Sequence, residues 1–234
     1  MKKFLSFILI FWVSFSFSQN WSAYGIKVAP ENEETVVKIM DDYFTNNKIE
    51  GVTVSLYSIM FTAADLDFTH EVIFSGEGDA MAKLYEPGFQ DTAWQLFSSK
   101  ISNFSEHVFS GQGWRNFNFG ETNPYQMVIT FNGEWETINK WTNMVKQLNE
   151  KYPRDFRSFA SGGINVGGPS NKATHWMVTG WKTYSDYNEN WNNTQKFRAE
   201  NPTFVKEKDR IEKDIDYSSV EFVTKTMRYL VKQW

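Results

Sequence analysis

The sequence predicts an α+β fold in which one order of elements, β-α-β-β-α-β, is run through twice. Three observations carry that expectation. The segment Thr69-His70-Glu71-Val72-Ile73-Phe74-Ser75-Gly76 returns, about 105 residues later, as Thr174-His175-Trp176-Met177-Val178-Thr179-Gly180. Around each copy, β-branched and aromatic runs alternate with apolar residues at 3-4 spacing, in the same order and at nearly the same intervals. The composition of the 234 residues, 41% hydrophobic and 18% aromatic without any cysteine, provides a full core and excludes a disulfide-stapled scaffold.

The elements follow in order. Residues 23–29 and 125–131 are strand-like runs introduced by turn-forming residues. Helical patterns come next: Val36, Met40, Tyr43 and Phe44 share one face, and Ile138, Trp141, Val145, Leu148 and Tyr152 keep a 3-4-3-4 spacing. Second strands are predicted over 51–61 and 156–166, each joined by a polar loop to its Thr-His strand. A short helical piece, a proline (Pro87, Pro202) and a second amphipathic piece follow, because proline stops or restarts a helix. Closing strands are expected near 107–117 and 220–231, with a linker at Gly120-Glu121-Thr122-Asn123-Pro124.

This order is the split βαβ of the ferredoxin-like kind, a four-stranded sheet with helices on one face and the other face needing cover. The expected divisions are residues 19–120 for the first repeat and 121–234 for the second, each covering the other's bare sheet. The arrangement resembles the dimeric α/β-barrel superfamily, with the two halves fused in one chain. That resemblance implies a pseudodimeric α/β barrel of two tandem ferredoxin-like repeats, in a group that includes cofactor-free monooxygenases and haem-handling enzymes.

Residues 1–18 read as a secretory signal peptide. Lys2 and Lys3 precede an apolar run from Phe4 to Phe17, and Ser16 and Ser18 place small residues before Gln19. The run of about 14 residues is shorter than the roughly 20 a spanning helix needs. An extracytoplasmic protein, periplasmic or secreted, without a membrane span after cleavage is therefore expected. Of 24 basic and 28 acidic groups, cleavage removes only Lys2 and Lys3, so 22 face 28 and the mature chain is acidic. That balance argues against nucleic acid, whose binding draws on clustered Lys and Arg. Asn20, Asn103 and Asn192 head Asn-x-Ser/Thr triplets, acceptors only in a glycosylating host.

No sequence motif specifies a reaction, and HExxH, paired CxxC and lysine-bearing phosphate loops are lacking. No metal and no cofactor are expected. The glycine-dense run 162–168 is expected to be a twisted or bulged strand entering a hairpin. His107 lacks a counterpart in the second half, where Phe222 stands nearest, so a haem-ligand role has no second mark.

His70 and His175 occupy matching positions and are the candidate proton acceptors, because an imidazole titrates near neutrality. Strand parity puts His175 with Met177, Thr179 and Trp181, and helical spacing lets Tyr184, Tyr187 and Trp191 close over that face, with Tyr125 on a neighbouring strand. A small apolar or aromatic ligand between sheet and helices of the C-terminal half follows. Cofactor-independent oxidation or isomerisation is the chemistry it would carry. Such a protein should hold a pocket of roughly 300–1,000 Å³. The competing reading is a non-catalytic structural or interaction protein of the cell envelope, in which these aromatics only pack helix on sheet.

Overall fold

The computed structural model describes residues 19–63, 65–86 and 91–234. The expected signal peptide and Pro87 lie outside them. In the first half, β1 (Asn20–Val28) leads to α1 (Glu33–Asn46), β2 (Val52–Phe61), β3 (His70–Gly76), α2 (Gly78–Lys83), α3 (Thr92–Ser102) and β4 (Ser105–Phe119). The second half repeats the order with β5 (Tyr125–Asn132), α4 (Trp135–Lys151), β6 (Ser158–Gly167), β7 (His175–Trp181), three helices and β8 (Glu221–Gln233). Those helices are α5 (Tyr184–Asn188), α6 (Asn190–Glu200) and α7 (Pro202–Glu212), and Pro202 opens α7 where its missing N–H costs nothing.

All strands pair antiparallel in one closed barrel of order β1-β3-β2-β8-β5-β7-β6-β4. Two seams join the halves: β2 to β8, with Leu56 opposite Lys232, and β4 to β6, with Gly113 opposite Ile164. The bare sheet faces therefore cover each other by rolling up edge to edge, which removes free edges as well.

Helices pack on the outside. Val36, Met40 and Phe44 of α1 meet Ile26, Val28, Val54, Leu56, Val72 and Phe74 from the first sheet. In the second half Met144, Leu148, Phe204 and Ile215 form the equivalent layer. The last residue ties the halves further. The Trp234 indole donates to Asp41 Oδ1 at 2.9 Å, its ring lies 5.4 Å from Phe44, and Lys232 pairs with the same carboxylate at 2.5 Å.

The glycine-dense run behaves as expected of a bulged strand. β4 and β6 shift register at Gln112/Gly113 and Arg115/Phe117, and Gly167 turns the chain at φ 68°. Gly162 has a second task, because a Cβ there would lie 2.7 Å from Trp176 Cζ2, so its bareness admits an indole into the barrel.

Candidate functional site

The barrel interior holds a cavity of about 180 Å³ that opens partly to solvent. Trp21 and Trp176 meet edge-to-face at 6.1 Å on its wall, beside Ile73, Val128 and Val178. Phe68 and Phe109 cross at 5.0 Å towards one end, and the Phe109 ring fills the space a side chain at Gly25 would take. Both halves supply lining residues, so the space is shared.

A polar belt crosses the barrel over the β2–β8 seam. The Arg228 guanidinium, with only 6% of its side chain exposed, pairs with Glu71 on β3 and donates twice to Gln126 Oε1 on β5, at 3.0 and 2.7 Å. It lies 3.9 Å above the Tyr57 ring centroid. Ion pairing, two hydrogen bonds and a cation–π contact together satisfy a buried charge that would otherwise be prohibitive. Gln126 in turn donates to Asn123 O at 2.9 Å.

Two cavity-lining side chains carry a polar group without a side-chain partner among the described residues. Trp176 Nε1 is buried without an acceptor among the described residues. Arg115, on β4 opposite Gly162, lines the cavity half-buried, and burial pushes its pKa below the ordinary arginine value.

Strand parity separates this cavity from the residues singled out in the sequence. Glu71, Ile73, Trp176 and Val178 point inward, so His70, His175, Met177 and Trp181 stand on the opposite, helix-facing side of β3 and β7. His175 stacks on Phe131 at 5.8 Å and packs against Trp135 at 5.4 Å, and its Nδ1 lies 2.8 Å from Thr174 Oγ1. His70 Nδ1 lies 3.0 Å from Thr69 Oγ1. Burial pushes both imidazoles below their usual pKa, Glu33 opposing it slightly at His70.

The aromatic closure forms only in part. Trp181 is fully buried, meets Tyr187 at 5.1 Å and donates from its indole to Asn190 Oδ1 at 3.2 Å. Tyr184 joins Tyr187 and Tyr125, which itself contacts Tyr229 at 4.9 Å. Trp191, 70% exposed, turns away to solvent. This layer is packed, and the open space lies on the other side of the strands.

Sequence reading passed over Arg115, Arg228, Gln126, Tyr57 and Trp21. Their signal was the second parity of each strand: Gln126-Val128-Thr130 and Thr224-Thr226-Arg228 alternate as a solvent-facing row would, and closure turns that row inward. Among the described residues no group of three or more His, Cys, Asp or Glu side chains could hold a metal ion, and no helix is long and apolar enough to cross a membrane.

No protein-family model and no curated protein matches the chain. Solved structures do. An anthrone oxidase-like protein matches with a TM-score of 0.57 at 9% identity, over 94% of each chain. A candidate monooxygenase from Fusobacterium nucleatum matches at 0.58 and 13%, over 93% of this chain and 94% of its own. A heme-binding protein from Thermus thermophilus matches at 0.52 and 8%, over 92% of each. These neighbours are dimeric α/β barrels, and at such identities the likeness establishes the architecture alone.

Proposed function

We propose that the chain binds a small apolar or aromatic molecule inside the barrel, between its two halves. The carrying observation is the cavity itself, with two tryptophans and the four branched aliphatic side chains of Ile73, Val128, Ile164 and Val178 among the described residues of its wall. At about 180 Å³ it lies below the 300–1,000 Å³ of pockets that take drug-sized molecules and close to cavities that hold one benzene ring. A single-ring ligand follows. The neighbours named as an oxidase-like protein, a monooxygenase and a heme-binding protein are consistent with small-molecule work in this architecture.

Haem does not fit this interior. Its iron takes an axial His, Cys, Met or Tyr, and among the described residues no His, Cys or Met lines the cavity, while Tyr57 is covered by Arg228. The space is also too small for a macrocycle.

Cofactor-independent oxidation or isomerisation is an extension of the same proposal. Its proton acceptor inside the barrel would be Glu71, because His70 and His175 lie across the strand from the ligand. The order of elements further supports an origin in two fused ferredoxin-like copies, divided at 120/121. Export rests on residues 1–18 alone, and N-terminal sequencing of protein from its own host should begin at Gln19.

Native mass spectrometry of protein purified from that host tests the binding proposal. Expected is a retained mass, lost when Val178→Phe fills the barrel without lowering the melting temperature. His175→Ala and Trp181→Ala should lower stability and leave retention unchanged. Retention lost with His175→Ala, and kept with Val178→Phe, would move the site to the helix-facing layer.

A further inference from the structure

We infer that a groove on the outside of the barrel, between β4 of the first half and α4 of the second, binds a neutral pyranose sugar through the Trp114 and Trp135 indoles and the side-chain amides of Asn116, Asn139 and Asn143. The groove measures about 290 Å³ and shares no described lining residue with the barrel cavity. It therefore stands apart from whatever the barrel holds.

The strands beneath set both indoles in place. Trp114 stands opposite Gly163 on β6, and a Cβ there would fall 2.2 Å from both Cζ2 and Cη2 of its ring, so the bare glycine lets the indole lie on the strand. Its Nε1 donates to Asn116 Oδ1 at 2.9 Å, which fixes the ring and leaves the Asn116 NH2 group without a partner among the described residues. Gly163 pairs in turn with His175, whose ring supports Trp135 at 5.4 Å. The two indoles stand 6.1 Å apart, tilted by 54°, and Trp135 keeps 55% of its surface exposed at the start of α4. Two adjoining rings are thus held in position with apolar surface still open to water.

Asn139, Asn143 and Lys146 follow Trp135 at steps of four, four and three, so one helix face carries them along the groove. No described residue bonds the side-chain amides of Asn139 and Asn143 or the Lys146 ammonium. Ligand chemistry can be sorted against that set. An apolar molecule would strip water from the amides and return nothing. An anion would find one exposed lysine, a weak hold in water. A pyranose offers an apolar C–H face to an indole and a rim of hydroxyls, and each amide can donate to one hydroxyl and accept from another.

NMR of the indole N–H signals of the full chain, titrated with the methyl pyranosides of glucose, galactose, mannose and N-acetylglucosamine, tests this. Expected are saturable shifts of Trp114 and Trp135 with at least one of these sugars, at a Kd of about 10 mM or tighter, while the Trp181 signal stays still. Trp135→Ala should abolish the shift at Trp114. Asn143→Ala, at an exposed position, should weaken the sugar about fivefold or more with the melting temperature unchanged. Val178→Phe, which fills the barrel, should leave the sugar Kd as it is. No shift with any of the sugars, or a Kd unchanged in either groove variant, overturns the sugar site and leaves the barrel proposal standing. Shifts of these two indoles with benzyl alcohol and with none of the sugars would make the groove an apolar site and overturn the inference as well.

Discussion

Arg228 shows how a single residue can be costly and necessary at once. Its charge sits inside the barrel, held by Glu71, Gln126 and the Tyr57 ring. Removing one partner strands the other, so Glu71→Gln or Arg228→Met should each cost about 3–5 kcal/mol in urea denaturation. Replacing both with apolar residues should recover most of that loss. The matching histidines make a different residue-scale prediction. Burial depresses both, so the folded protein keeps them neutral while the unfolded chain takes up protons below about pH 6.5. Unfolded chains then bind more protons, and stability should fall as pH drops through about 6.5. Urea midpoints should show that fall, and a His70→Gln/His175→Gln variant should show a shallower one. The sequence made these histidines visible through repetition alone, and repetition marked a packing position as readily as a site.

At the scale of elements, the Thr-His signature has a structural account. Thr69 Oγ1 accepts from Val28 N at 2.8 Å and meets its own histidine, and Thr174 Oγ1 donates to Asn132 Oδ1 at 3.2 Å. Each pair anchors the start of one strand to the end of its neighbour, which is why the dipeptide recurs where β3 and β7 begin. Periodicity located the strands of the barrel because each has one face against helices, and that face reads as alternating apolar residues. The other parity looked like a solvent row, since no local signal tells a strand that its polar side will be rolled inward. The end of β8 carries a prediction of its own. Lys232, and next Trp234, hold the Asp41 carboxyl at about 2, so the clamp is in place above about pH 4 and released as pH falls towards 2. Asp41→Asn should remove that dependence, read as lost exchange protection of the Trp234 indole N–H.

For the whole molecule, the two seams decide the behaviour. β2–β8 and β4–β6 close the barrel, and a half without its partner would expose two edges and the polar belt. Residues 19–122 expressed alone should therefore fail to give a monomer that melts cooperatively. Barrel closure also makes the cavity, because inward rows from both halves meet there and the helix layers are already filled by their own apolar residues. The central claim is that a small ring binds within this cavity. Methyl NMR of the Ile- and Val-labelled chain, titrated with 4-fluorobenzyl alcohol, measures it directly. The account predicts saturable shifts at Ile73, Ile164, Val128 and Val178, with Val36 and Val145 under the helices unmoved; shifts confined to the helix-facing layer, or none up to millimolar probe, would contradict it.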